Sequence, residues 1–277
     1  MFSDIKIIKK TPISIRRETN FVSLLSYNPC DNTIFLGSFW PGLSSGFESQ
    51  IVKTFKNCYP ANQFQSHINM LIDFYIDVIL KELENIKIDS IVRVLSSSET
   101  DVDPQKPASI LIDSLSKKIK AQNLSFIFYR SQPRPSLRTV KRMQGPDAFK
   151  QRLYYAGEDL FLKPINIKGR VLLVDDIYNT GASVRIYANA LKMWCGADEV
   201  ISLNLAATRF NNGKDGLGFL KLDTAGLNKY PMLKTCVVSD NLIHKNEDCN
   251  LITKRGVCMF EFYAEKNYEK CKNCYRK

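Results

Sequence analysis

Residues 171–183 read VLLVDDIYNTGAS, and this stretch decides the fold. Its first four residues are apolar and β-branched at both ends, as a short strand buried on both faces should be. Asp175 and Asp176 follow, then a polar turn, and then a helical pattern over 182–195. Ligands of an open parallel sheet collect beyond the carboxyl ends of its strands, so both acids are expected to project into a crevice. Gly181 lets the backbone approach an anion closely. The N–H groups of Thr180, Gly181, Ala182 and Ser183, backed by the helix dipole, would form a phosphate seat. The hydroxyls of Thr180 and Ser183 add donors, and Tyr178 and Asn179 complete the loop. Carboxylates repel phosphate, so the two acids must address another part of the ligand, and vicinal ribose hydroxyls suit them. A helix N-cap with two acids near the dipole is the plainer alternative, but it explains only one Asp.

Around this motif the pattern alternates between strand and helix. Strands are expected over 90–95, 124–129, 170–174 and 199–206, and helices over 108–120 and 182–195. Such alternation argues for an α/β fold with a parallel twisted sheet flanked by helices. Residues 130–168 show no sustained periodicity and read as a long polar loop, which in a compact domain is usually functional or disordered. The first 87 residues read as an extension packed on the core. They hold a short strand at 33–36, a turn-rich run at 41–46 and an amphipathic helix over 63–85. His67 at the start of that helix reads as a polar contact, because no second ligand lies at helical spacing. The division expected is an extension at 1–87, a core at 88–208 and a C-terminal region at 209–277 with a small Cys-rich tail.

Four apolar residues, two acids, two variable residues and then Thr-Gly-x-Ser resemble the phosphoribosyl pyrophosphate (PRPP) motif of the type I phosphoribosyltransferases. The variant most similar is the ComF-like, amidophosphoribosyltransferase-related group, with Asn179 and Ser183 standing where that group usually has Thr. The resemblance covers about residues 88–208. It implies the type I phosphoribosyltransferase fold, PRPP as ligand, and Mg²⁺-dependent phosphoribosyl transfer (a glycosyltransferase reaction) with release of pyrophosphate. It also implies that Asp175 and Asp176 hold the ribose hydroxyls or the metal's waters. Ser96, Ser97 and Ser98 occupy the place of the diphosphate loop. The 130–168 stretch takes the place of a flexible hood, with Arg134, Arg138, Lys141, Arg142 and Arg152 as its cations. No acceptor-recognition segment is evident after residue 206. A PRPP or nucleotide sensor without turnover, or a nucleic-acid-associated component in DNA uptake or defence, is the other reading that the resemblance allows.

Charge and cysteine content refine the picture. The chain has 277 residues and a formal net charge of +11, and its positive charge is unevenly placed. Residues 130–170 hold ten basic and three acidic side chains, while residues 171–207 hold two and four. A basic stretch just before the motif suits an anionic partner such as a diphosphate, although a solvated basic loop is the alternative. The apolar run at 68–80 carries Asp73 and Asp77, so no membrane span is expected. The first residues lack the apolar region and cleavage site of a secretory signal, which makes the cytoplasm the expected compartment.

Eight cysteines then argue for thiols or metal ligands rather than disulfides. Five of them fall in the last 42 residues. Cys271 and Cys274 have the spacing of half a zinc site, and Cys249 and Cys258 are taken as the other half, with His244 and Cys236 also on offer. Incidental buried thiols are the alternative. Phe260, Phe262, Tyr263 and Tyr268, set among lysines, also match a single-stranded nucleic-acid surface.

Overall fold

A computed structural model describes residues 11–41, 46–58, 64–135, 147–209, 220–245, 247–252 and 256–275. The chain is mixed α/β and forms two units that interleave along the sequence. The first takes residues 1–34, 85–104 and 112–204, and the second takes 35–84, 105–111 and 205–277. The first 87 residues are thus shared between the two units.

The first unit is built on the sheet that carries the motif. Its strands lie in the order Asn32–Phe35, Glu199–Thr208, Arg170–Tyr178, Ser90–Arg93 and Gln122–Asn123. Ser90–Arg93 runs parallel to both neighbours, with Ser90 opposite Val171 and Arg93 opposite Val174. Val171, Leu172, Leu173 and Val174 are all buried, so the motif strand is covered on both faces, as its composition predicts. Val171 and Leu173 point into the main apolar cluster of this unit. There they meet Ile186, Ala190 and Leu191 from the Ala182–Cys195 helix, which begins and ends where its periodicity predicts.

Two expectations change. The 124–129 run is not a strand of the parallel sheet. After Gln122–Asn123 the chain turns through the 3₁₀ segment Ser125–Ile127 and enters the strand Phe128–Arg130. The buried Ser125 hydroxyl accepts the Arg93 N–H at 3.1 Å, and the turn that follows takes the chain out of the ladder. A short apolar run is buried under either arrangement, so its composition cannot distinguish them. The 130–168 stretch is also more ordered than expected. It contains the helix Ala148–Gly157 and the strand Leu160–Leu162, which joins Ile13–Ser14 and Phe128–Arg130 in a separate three-stranded antiparallel sheet. Leu153, Ala156, Leu160 and Leu162 anchor this segment in the apolar cluster.

The second unit holds the helices Phe47–Asn57 and Gln65–Glu82 and a four-stranded sheet in the order Val257–Phe260, Thr235–Ser239, Leu242–His244, Glu269–Lys270. Ser38–Phe39 pairs here in parallel with Ala207 and Thr208 at the end of the long strand. The Gln65–Glu82 helix buries Ile68, Leu71, Ile72, Phe74, Tyr75, Ile76 and Ile79, while Leu80 from the expected stripe stays exposed. Among the described residues no helix is long and apolar enough to cross a membrane.

Candidate functional site

The two loops that the sequence singles out follow adjacent parallel strands. The Val94 N–H donates to the Val174 carbonyl at 2.9 Å, and from there one chain enters the serine loop while the other reaches Asp175. Both loops therefore open at the carboxyl edge of the sheet, where ligands of such sheets bind. The Leu95 N–H donates to the Tyr187 hydroxyl at 3.2 Å, which ties the serine loop to the motif helix as well.

A buried ion pair frames the serine loop. Arg93 donates through Nη1 to Glu99 Oε2 at 3.0 Å, and its Nη2 pairs with Glu99 Oε1. The same carboxylate accepts the Ser96 N–H at 2.7 Å and the Asp103 N–H at 3.2 Å. Glu99 is thus the node around which residues 93–103 turn. Ser96 and Ser97 are half-buried and Ser98 is exposed, with the Ser96 and Ser98 hydroxyls 3.3 Å apart.

The motif strand runs on to Tyr178, past the point where its apolar run ends. Asp175 and Asp176 consequently lie within it, half-buried, and successive strand residues face opposite sides. The Asp176 N–H donates to Asp175 Oδ1 at 2.9 Å, and the Ile177 N–H to Asp176 Oδ1 at 2.7 Å. Asn179 and Thr180 form the bend, and the half-buried Asn179 has its Oδ1 oxygen buried with no partner among the described residues.

Gly181 sits in the left-handed region at φ 76°, and a Cβ there would lie 2.2 Å from the Tyr178 hydroxyl. Only glycine fits this turn. No side chain caps the helix that starts at Ala182, and its first closing bond is the Arg185 N–H to the Gly181 carbonyl at 2.9 Å. The N–H groups ahead of that bond are those an anion would use.

Of the cations the sequence suggests, Arg134 lies beside the serine loop, and Arg130, which the sequence reading does not name, lies there with it. Arg138, Lys141 and Arg142 lie outside the described residues. Arg152 is half-buried on the Ala148–Gly157 helix and makes no hydrogen bond or ion pair with either loop. The buried cations beside the serine loop are Arg130 and Arg134, 3% and 9% exposed. The Arg130 N–H donates to the Thr100 carbonyl and its Nη1 to the Glu158 carbonyl at 3.0 Å, yet Nε and Nη2 are buried without partners among the described residues. Arg134 packs its guanidinium 5.3 Å from the Tyr155 ring centroid and leaves Nε and Nη1 likewise unpartnered.

Burial pushes Arg134 down to about 10, helped by the like charge of Arg130 and opposed by Tyr187, Tyr155 and Asp175. Asp175 is therefore within electrostatic reach of this guanidinium. Burial raises the Tyr187 hydroxyl, while Arg130, Arg134 and Arg93 pull it the other way. Buried donors without acceptors are costly, and an anion is the partner that would satisfy them. For Arg130, a position directly after an apolar run is the signal available in the sequence.

In the second unit, His244, Cys249, Cys271 and Cys274 gather into a cluster able to hold a metal ion such as zinc. Cys258 is not among them. It sits opposite Val237, and Val237 in turn sits opposite His244. Two strand spacings, roughly 10 Å, thus separate Cys258 from His244. Cys236, one residue before Val237, is also outside the cluster, buried in a small apolar cluster.

The aromatic residues of this region are not an open platform. Phe260 and Phe262 are buried, and Phe262 stacks on His67 with centroids 4.3 Å apart, which accounts for that histidine without a metal. Tyr263 and Tyr268 are half-buried, and Tyr268 packs against the small apolar cluster around Ile243. No protein-family model, curated protein or solved structure matches the chain.

Proposed function

We propose that the protein binds PRPP at the carboxyl edge of its parallel sheet and transfers the phosphoribosyl group to an acceptor. The observation that carries this reading is the pair of buried arginines next to the serine loop, Arg130 and Arg134, whose free donors have no partner among the described residues. An uncapped helix start would take the 5-phosphate, using the N–H groups after Gly181 and the hydroxyls of Thr180 and Ser183. The serine loop and the two arginines would take the diphosphate, so two anionic ends of one ligand find separate seats.

In the reaction a nucleophile forms a bond to the anomeric carbon as the bond to the pyrophosphate oxygen breaks. Charge moves onto the leaving group, and fixed guanidinium donors stabilise it there. Asp175 and Asp176 orient the ribose by accepting from its hydroxyls. The same carboxylates suit Mg²⁺, which binds through few carboxylates plus substrate phosphates. When bound, Mg²⁺ neutralises diphosphate oxygens.

Calorimetric titration of the full chain with PRPP, with and without Mg²⁺, tests the binding step. A pyrophosphate assay over candidate acceptors, with Asp176→Asn as control, tests the transfer. Binding with acceptor-dependent pyrophosphate release, lost in Asp176→Asn, is expected. Binding without release in any assay overturns the transfer and leaves a sensor. Absence of binding overturns both.

A further inference from the structure

The Cys/His cluster shares no residue with the phosphoribosyl reading, and it has a geometry of its own. The ligand atoms of His244, Cys249, Cys271 and Cys274 all lie within 4.8 Å of one another. The sulfurs of Cys249 and Cys271 are 3.9 Å apart, and Cys274 Sγ is 3.8 Å from His244 Nδ1. Zinc ligands at about 2.3 Å (sulfur) and 2.0 Å (nitrogen) in a tetrahedron stand roughly 3.5 to 3.8 Å from one another. A disulfide would need its sulfurs at about 2.0 Å. The observed separations are those of ligands around one small ion.

The surroundings complete the argument. Cys271 and His244 are fully buried, and His244 Nε2 has no partner among the described residues. Three thiolates around a divalent ion leave one net negative charge. Lys245 follows His244 directly, its ammonium group 5.1 Å from the Tyr275 ring centroid, while Lys270 pairs with Glu261 and Glu265.

The fold also needs a fastening here. Glu269–Lys270 is held to the sheet by two residue pairs, Leu242 with Glu269 and Ile243 with Lys270. Among the described residues, the small apolar cluster here has Cys236, Val238, Ile243, Met259 and Ala264 as its buried members. A core of this size does not hold a two-residue strand by itself.

We propose that His244, Cys249, Cys271 and Cys274 bind one zinc ion in a closed, structural site that clamps the C-terminal strand onto the Leu242–His244 strand. Sulfur-rich ligation selects zinc over magnesium or calcium, and four protein ligands leave no position for a substrate. The site does not depend on the phosphoribosyl reading.

The test uses the purified full-length chain. Elemental analysis after dialysis is expected to find one zinc per chain. Exchange with Co²⁺ is expected to give the intense visible bands of a tetrahedral thiolate site. Cys258→Ser is expected to keep the zinc, and Cys274→Ser to lose it. His244→Cys is expected to keep the metal and to strengthen the thiolate-to-cobalt band, which holds the ligand set to account even if Cys274→Ser fails to fold. A zinc-free wild-type chain, a Cys249–Cys271 disulfide in its place, or loss of zinc in Cys258→Ser would each overturn the proposal.

Discussion

The backbone N–H of Arg134 donates to the carbonyl of Ser97 at 2.9 Å. This one bond fastens a buried, incompletely satisfied guanidinium to the serine loop beside the motif strand. With the backbone held by this bond and the guanidinium packed on the Tyr155 ring, the side chain is placed before any ligand arrives, which limits the ordering cost that binding would otherwise carry.

Arg134→Met should consequently separate binding from folding. Losing a charge-assisted contact costs about 1.5–3 kcal/mol, so affinity for pyrophosphate should fall by roughly 10- to 100-fold. The ligand-free protein should keep its Tm or gain slightly, because the substitution removes a buried charge that has no ion-pair partner among the described residues. Calorimetric titration with pyrophosphate and thermal melts of the free protein give the two numbers. A lower Tm with unchanged affinity would make Arg134 a purely structural residue.

The Arg93–Glu99 pair should behave in the opposite way. Both side chains are 3% exposed, so Glu99→Ala leaves a buried cation unpaired. The expected loss is about 3–5 kcal/mol, and Arg93→Met/Glu99→Leu should recover most of it. Urea denaturation of the single and double variants checks this. PRPP affinity should stay low in the double variant, because the Ser96 and Asp103 N–H groups lose their acceptor.

Gly181→Ala tests the phosphate turn. Its left-handed φ and the 2.2 Å approach to the Tyr178 hydroxyl mean that the turn must open or the tyrosine must move. Stability should drop by about 1–3 kcal/mol, and PRPP affinity should drop with it. An alanine variant with wild-type affinity would remove this turn from the site.

Asp89 sets an acid limit on the start of the motif strand. Lys87 and the Arg170 N–H both hold its carboxylate, which lowers its pKa below the ordinary 3.8. A carboxylate depressed in the folded state contributes stability above its unfolded pKa, and that contribution is lost as pH falls through the folded value. Asp89→Asn should therefore be less stable than wild type at neutral pH, and the two should converge in acid below 3.8. Urea midpoints across an acidic pH series measure the convergence. A constant gap would assign the effect to packing.

How far the sequence could be read depended on whether a pattern was local. Residues 171–183 and the helix after them follow from composition and spacing alone, and so does the stripe of Ile68, Leu71, Ile72, Tyr75, Ile76 and Ile79. Arg134 is among the hood cations that the resemblance implies, whereas Arg130 escapes notice at the end of an apolar run, because burial of a cation depends on distant partners such as Thr100. His244 was passed over for Cys258, since a lone histidine ending an apolar strand carries no spacing signal. Only the strand order, with Thr235–Ser239 between them, decides which one reaches Cys271 and Cys274.

The pairing of Ile13 with Leu162 bears on how the chain is made. Asp31 is similarly committed to Val200, to which it both donates and accepts a hydrogen bond. On the ribosome Ile13 and Asp31 emerge well before residues 162 and 200, and these pairings wait until those residues have followed. Contacts this distant in sequence form late, after the loop between them has been closed. Ile13, Ile15, Phe21 and Leu24 thus stay uncovered until that late closure, which makes this segment one that benefits from shielding during synthesis.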